Sequence, residues 1–282
     1  MDFYIVIPAH NEEKFIAQTL ESLSTQTLLP KKLIVVNDNS SDGTEEILKS
    51  YSNNFPWITY INSTSSNKHL PGSKIINAFY KGFEQLDANY DVICKFDADL
   101  FFPFNYLEEL SKHFKSNPKL GMASGFCYIE KNGNWILENL TNKDHIRGAL
   151  KAYRKECFSQ IGKLKQSMGW DTVDELLASF HSWEILTDES LHVKHLKPTG
   201  QSYNKASKYL QGEAMYKLRY GFWITIISAI KLAYKKRSVK LFWYYISGYL
   251  KAKSNKVPFL VNKAEGNFIR KMRWKGIWKK IT

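Results

Sequence analysis

Asp97 and Asp99, separated by one alanine, close an apolar run from Tyr90 to Phe96 that reads as a buried strand. Residues two apart on a strand point to the same side. Both carboxylates therefore leave the carboxyl end of a core strand together. Like charges so placed repel unless a cation or a shared proton intervenes. A hard divalent metal bridged to a phosphate is the usual partner of such a pair. Taken alone, the tripeptide fits a solvated turn equally well. Two more polar clusters tip the balance: Pro8-Ala9-His10-Asn11-Glu12-Glu13 and Asn37-Asp38-Asn39-Ser40-Ser41-Asp42-Gly43. Each also ends a strand-like run, and open α/β sheets bind ligands beyond the carboxyl ends of their strands.

The elements that must position these clusters alternate. Phe3–Pro8, Lys32–Asn37, Trp57–Ile61 and Tyr90–Phe96 read as strands. Glu12–Leu23, a segment from Asp42 to Tyr51, Gly72–Leu86 and a stretch from Pro103 to Phe114 read as helices, with Asp42 and Glu45 at capping-box spacing. This alternation implies a mostly parallel sheet covered on both faces. Met122–Ile129 and Trp135–Leu137 read as a hairpin about Lys131-Asn132-Gly133.

The chain has 282 residues, 44% of them hydrophobic, which argues for a packed globule over a disordered chain. Its net charge of +13 is unevenly placed: residues 201–282 hold 19 Lys/Arg against two acids, Glu213 and Glu265. The organisation expected is an α/β domain over residues 1–200 followed by a basic, aromatic helical tail over 201–282. Cys94, Cys127 and Cys157 lack metal or disulfide spacing and read as core thiols in a reducing compartment. Met1-Asp2 followed at once by a strand pattern does not resemble a signal peptide, so a cytoplasmic location is expected.

Four segments in order, Ile7–Glu13, Val36–Thr44, Phe96–Asp99 and Gly169–Glu175, resemble the family 2 glycosyltransferases with the nucleotide-sugar-binding GT-A fold. The resemblance implies transfer of one sugar from a nucleoside diphosphate donor to an acceptor hydroxyl, with inversion and with Mn2+ or Mg2+ as cofactor. By position it assigns Pro8, Ala9, His10 and Glu12 to the nucleobase and ribose, and Asp38 to a base N–H. Asp38 fits a plain turn residue too. UDP is the default nucleotide, with GDP and dTDP open. Gly72 and Lys74, at the start of the long helix in Pro71-Gly72-Ser73-Lys74, are placed on the diphosphate, where helix-end N–H groups favour anions; a solvated lysine is the plain alternative. Asp97 and Asp99 are assigned to metal and ribose, and His195 to the metal; a satisfied core histidine is the alternative. For the base, the family's acidic pair falls on Asp174-Glu175 in reversed order, leaving Glu175 or Asp174 to deprotonate the acceptor. Trp170 is assigned to the acceptor ring, or else to packing. The Gln-x-x-Arg-Trp motif of processive synthases is missing, since Gln211 and Arg219-Tyr220 lack its spacing. That favours a single addition.

Gly221–Tyr234 and Val239–Leu250 are apolar but short of the roughly 20 residues that cross a bilayer. With Trp223, Trp243, Tyr244, Tyr245 and Tyr249 among lysines, they read as an interfacial helix pair. An anionic membrane surface on the inner face of the cell membrane and a lipid-linked acceptor in bacterial glycan assembly are the expected partners. Packing of the tail against the sheet edge is the alternative. Two other functions are alternatives. A sugar-phosphate nucleotidyltransferase needs a Gly-rich basic loop after the first strand, where this chain has acidic IPAHNEE. A nucleic-acid binder using the basic tail leaves the acidic front unexplained, so no nucleic acid is expected.

Overall fold

The computed structural model describes residues 1–64, 72–138, 145–197 and 205–279, the side chains of 205–207 excepted. Its first part alternates β1 (Phe3–Ala9), α1 (Ile16–Ser24), β2 (Lys32–Asp38), α2 (Thr44–Asn54), β3 (Ile58–Ser63), α3 (Ser73–Phe83) and β4 (Val92–Phe96). β1 pairs in parallel with β2 and β4, and β2 with β3. β1, β2 and β4 are buried on both faces, which is why they read as nearly unbroken apolar runs, while β3 at the edge is part-exposed. Phe3, Ile5 and Ile7 pack with α1 and with α4 (Tyr106–Ser116), while Tyr4 and Val6 pack on the other face with α3.

The second part is mixed, with antiparallel pairs throughout except β6 with β9, which pair in parallel: β5 (Leu100–Phe101), β6 (Leu120–Lys131), β7 (Asn134–Leu137), β8 (Leu150–Arg154), α5 (Lys155–Gln160), α6 (Trp170–Phe180) and β9 (Glu184–His195). Among the described residues the sheet runs β3-β2-β1-β4-β8-β6-β9-β5, with β7 paired to β6. β8 enters antiparallel beside β4, placing Lys151 opposite Lys95. The expected hairpin forms with Lys131 opposite Asn134, and Asn132 (φ 53°) and Gly133 (φ 77°) make the two-residue left-handed turn.

Two local expectations change. α1 starts at Ile16, so Glu12 stands outside the helix on the loop after β1, its carbonyl accepting from the Phe15 and Ile16 amides. The cap of α2 is Gly43 and no capping box forms; Asp42 accepts from Thr44 N–H at 3.2 Å, and Glu45 instead accepts from Asn62 Nδ2 at 2.6 Å.

The tail folds as α7 (Lys205–Lys217), α8 (Phe222–Lys235), α9 (Val239–Ser254) and α10 (Lys263–Trp278). Met215, Leu218, Tyr220, Ile224, Tyr249, Val261 and Ile269 join the same core as α3, α5 and α6. The boundary expected at 200–201 lies outside the described residues, as does Pro71. Tyr245 and Tyr249 are 8% and 6% exposed, so they are core residues of the tail, while Trp223 and Trp243 stand in the open.

Candidate active site

β1 and β2 end side by side, with Ala9 opposite Asn37. The loops after them are tied together: Asn11 Oδ1 accepts from the Ser41 amide at 2.8 Å, Asp42 from Glu13 N–H at 3.2 Å, and Glu13 Oε2 from Gly43 N–H at 3.0 Å. On this frame His10, directly after Pro8 and Ala9, donates through Nδ1 to the Asp38 carbonyl at 2.6 Å. The Asp38 side chain is buried, accepts from Ser63 Oγ at 3.2 Å and faces Lys74 Nζ at 3.8 Å. Gly72 (φ 80°) leads into α3; a Cβ there would lie 2.5 Å from the Ser167 carbonyl oxygen. Only glycine allows that close approach.

The loop after β4 is fixed by Asp97 N–H donating to the Ala149 carbonyl at 3.1 Å. Pairing of Leu100 with His195 then carries Asp99 beside the imidazole, with His195 Nε2 3.5 Å from Asp99 Oδ2. Asp97, Asp99 and His195 each offer a ligand atom, all within 4.8 Å of one another. Glu12 Oε2 is buried without a hydrogen-bond partner. Burial raises the Glu12 pKa; the Asp99 and Asp97 charges add to this, while Lys197 at 3.1 Å opposes it. An orphaned carboxylate oxygen beside two more carboxylates and an imidazole calls for a cation, and this donor set fits Mn2+ or Mg2+.

Two cations, Lys95 buried and Arg147 part-buried, order the cluster. Lys95, 1% exposed within β4, pairs with Asp97 and donates to the Gly148 carbonyl at 3.1 Å. Burial would raise the Asp97 pKa, but Lys95 outweighs it and the pKa falls. Arg147 Nη2 lies 3.1 Å from Glu138 Oε2, and the same oxygen accepts from His195 Nδ1 at 3.1 Å. Burial pulls the His195 pKa down, yet hydrogen bonds to Asp99 and Glu138 prevail and lift it to about 10. A cation at Nε2 would displace that proton. Nδ1–H would stay on Glu138, the arrangement that orients metal-binding histidines.

α6 supplies the second acidic group. Asp174 is 1% exposed; it accepts from the Tyr153 hydroxyl at 2.5 Å and lies 3.1 Å from Lys151 Nζ. Burial pushes its carboxyl up, Lys151 opposing and Glu175 adding, to about 6. Glu175 is tied at both oxygens: Oε1 accepts from the Ile146 amide at 2.9 Å and Lys151 at 2.8 Å, and Oε2 from His145 Nδ1 at 2.9 Å. Asp171 is different, with a side chain 35% exposed and Oδ2 3.7 Å from His145 Nε2. Burial lowers the His145 pKa, but its bonds to Asp171 and Glu175 win and raise it to about 9. Asp171 flanks Gly148, the residue whose carbonyl holds Lys95 and thereby Asp97. The acidic start of α6 and the carboxylates after β4 are therefore neighbours.

Trp170, 7% exposed, packs in the core with Lys95 Nζ 5.4 Å from its ring centroid. This burial fits the packing alternative given for Trp170. Lys95, Glu138, His145, Arg147, Lys151 and Asp171 escaped the sequence reading. A lysine inside an otherwise apolar strand (Val92–Phe96) was the available signal.

Residues 4–165 match the family described as Glycosyl transferase family 2. The probable glycosyltransferase YdaM of Bacillus subtilis (strain 168) is 40% identical over 98 residues, 34% of this chain and 22% of that protein. Poly-beta-1,6-N-acetyl-D-glucosamine synthase of Staphylococcus epidermidis is 29% identical over 166 residues, 57% of this chain and 34% of that one. The chain thus spans about a fifth to a third of the length of these two curated relatives. Among solved structures, S. aureus TarS 1-349 in complex with UDP-GlcNAc aligns with TM-score 0.55 at 16% identity, over 91% of this chain and 76% of that one. The mannosyltransferase PcManGT from Pyrobaculum calidifontis, in complex with GDP-Man and Mn2+, aligns with TM-score 0.55 at 15% identity, over 76% of this chain and 61% of that one. These likenesses agree with the GT-A fold expected from the sequence. With the family match extending over more than half of its length, the chain belongs to glycosyl transferase family 2.

Proposed function

We propose that this protein moves one sugar from a nucleoside diphosphate sugar to an acceptor hydroxyl with inversion, using a divalent metal. The observation that carries the reading is the joining of two acidic groups: Asp97, Asp99 and His195 on one side, Asp171 on the other, through Lys95 and Gly148. In this reading Pro8, Ala9, His10 and Glu12 line the nucleoside pocket, and Asp38 accepts from a base N–H. Relatives named for N-acetylglucosamine or solved with UDP-GlcNAc support UDP as the nucleotide, while the GDP-Man complex keeps GDP in the comparison. Gly72 and Lys74, at the amino end of α3, face the diphosphate. Asp97, Asp99 and His195 would hold Mn2+ or Mg2+, whose chemistry is to stabilise the charge building on the leaving diphosphate.

Asp171 takes the role of base in preference to Glu175 and Asp174. Both oxygens of Glu175 are occupied, Asp174 is sealed between Lys151 and Tyr153, and Asp171 is the member of the cluster open to an incoming hydroxyl. Its carboxylate receives the acceptor proton as the acceptor oxygen bonds to the anomeric carbon and the bond to the diphosphate oxygen breaks. Burial raises the Asp171 pKa but His145 and Lys151 lower it further, keeping the carboxylate ionised. Residues 1–200 form the catalytic unit, and the tail holds it on the inner, anionic face of the cell membrane, with a lipid-linked acceptor in glycan assembly.

Thermal shift against UDP, GDP and dTDP with and without Mn2+ tests the donor side, since a ligand bound only by the folded state raises its stability. A Mn2+-dependent shift with UDP is expected, and Asp99→Asn should remove it. Asp171→Asn should keep the shift and lose transfer by about 10²–10⁴-fold. Full transfer by Asp171→Asn, or no nucleotide shift in the wild type, overturns the reading.

A further inference from the structure

α8 is apolar on its inner face and again on a stripe of its outer face. Ile224, Thr225, Ala229 and Ala233 are buried against the rest of the protein. On the outside, Trp223 (69% exposed), Ile227 (36%), Ile230 (55%) and Tyr234 (86%) follow one another at spacings of four, three and four. At the α-helical repeat these four lie within an arc of about 60°. α9 repeats the pattern, with Ile246, Tyr249 and Ala252 inside and Val239 (77%), Trp243 (63%) and Leu250 (46%) outside. The two outer stripes converge at the turn between the helices, where Ile230, Tyr234, Val239 and Phe242 line a cavity of about 690 Å³ with Lys235 and Arg237. Contiguous exposed apolar surface marks a contact site.

Charge identifies what covers it. From Phe222 to Lys256 the chain carries eight Lys/Arg and no Asp or Glu. Lys231, Lys235, Lys236, Arg237, Lys240 and Lys251 are all exposed. The tail's two acids lie outside the hairpin and are used internally, Glu213 against Lys217 at 2.5 Å and Glu265 in the capping box of α10. A second copy of this surface would bring cation against cation. An anionic lipid surface satisfies both features at once, taking Trp and Ile side chains into the acyl boundary and cations onto the headgroups. Among the described residues no helix is long and apolar enough to cross a membrane.

We propose that the α8–α9 hairpin is a monotopic anchor: its outer stripes lie in the interface of an anionic phospholipid bilayer, and the cavity at its turn receives one lipid, headgroup toward Lys235 and Arg237. This rests on the membrane-surface reading above and names the element that makes the contact.

The test is flotation of the full chain with vesicles of phosphatidylcholine and phosphatidylglycerol in a two-to-one ratio, against phosphatidylcholine alone. Wild type should float with the mixed vesicles, with Trp emission shifted to the blue. The Lys235→Gln, Lys236→Gln, Arg237→Gln variant should bind about 100-fold more weakly at low salt, from about 1 kcal/mol per cation at 1.4 kcal/mol per tenfold. The Trp223→Ser, Ile230→Ser, Trp243→Ser variant, with the charge unchanged, should lose the blue shift and most binding. These side chains are exposed, so thermal midpoints should match wild type. Equal flotation of either variant and wild type overturns the proposal. So does a wild type that stays with the soluble fraction, or a dimer that the serine substitutions dissolve. UDP and Mn2+ thermal shifts in the absence of vesicles should be the same in all three proteins. Their loss in wild type would fail the transferase reading instead, leaving flotation to judge the anchor.

Discussion

Replacing Lys151 with methionine keeps the stem that β8 buries and removes only the charge. Lys151 Nζ donates to the Asp171 carbonyl at 2.7 Å and lies 3.1 Å from Asp174 and 2.8 Å from Glu175, with no side-chain surface open to solvent. The substitution leaves a 1%-exposed and a 14%-exposed carboxylate without their common counter-ion. Removing one partner of a buried pair costs about 3–5 kcal/mol, a large part of a total stability of roughly 5–15 kcal/mol. The loss should depend on pH. Asp174 stands at about 6 with Lys151 present, and loss of the cation raises it further. A carboxyl group raised in the folded state favours folding below its unfolded pKa of about 4. That advantage disappears as pH climbs through the folded value, so the deficit of Lys151→Met should be small near pH 5 and full near pH 8. Urea unfolding of both proteins at the two pH values measures this directly, with unchanged slopes showing that only stability moved. Adding Asp174→Asn to Lys151→Met should recover part of the loss at pH 8. A deficit under about 1 kcal/mol, or one equal at both pH values, refutes Lys151 as the counter-ion of this group.

His145, 16% exposed, is raised to about 9 by Asp171 and Glu175 against burial, so its contribution to stability is complete below pH 6.5 and lost as pH rises through 9. His145→Phe should remove that slope, worth on the order of 3 kcal/mol; an unchanged pH–stability curve would show His145 to be neutral. Glu138→Ala should weaken Mn2+ binding by about 10–100-fold, and Glu138→Gln less, because Glu138 fixes the His195 ring. In a His195→Ala background, Glu138→Ala should have no further effect on Mn2+ affinity measured by calorimetry. Additive losses would mean that Glu138 acts through the general fold.

The parallel half was legible because burial on both faces leaves a simple trace: Phe3–Ala9 and Lys32–Asp38 are nearly pure apolar runs ending in polar clusters. The hairpin was legible because Asn-Gly selects the left-handed turn. β8 was not, since its Lys151 sits in the core only by virtue of carboxylates 23 and 24 residues away, and local pattern carries no such information. β5, two residues long, has no pattern at all, yet its pairing is what brings Asp99 to His195. In the tail, Tyr245 and Trp243 look alike among lysines. Helix phase separates them, and Gly248 was the clue: a Cβ there would lie 2.1 Å from the Tyr209 carbonyl, which marks the face of α9 that crosses α7 closely.

The sheet changes character at β4, with β1 parallel on one side and β8 antiparallel on the other. Directly opposed residues of an antiparallel pair share a face, with Cβ atoms about 5 Å apart. Lys95 and Lys151 are such a pair, two buried cations side by side, a placement that only separate counter-charges make tolerable. Each has its own: Lys95 holds Asp97, on the side proposed for the donor, and Lys151 holds the start of α6, on the side proposed for the acceptor. The seam therefore fixes the spacing between the two acidic groups through main-chain hydrogen bonds, leaving only side chains to adjust. That accounts for Asp171, the proposed base on a helix, standing next to carboxylates on a strand end, although the two lie more than seventy residues apart in the chain.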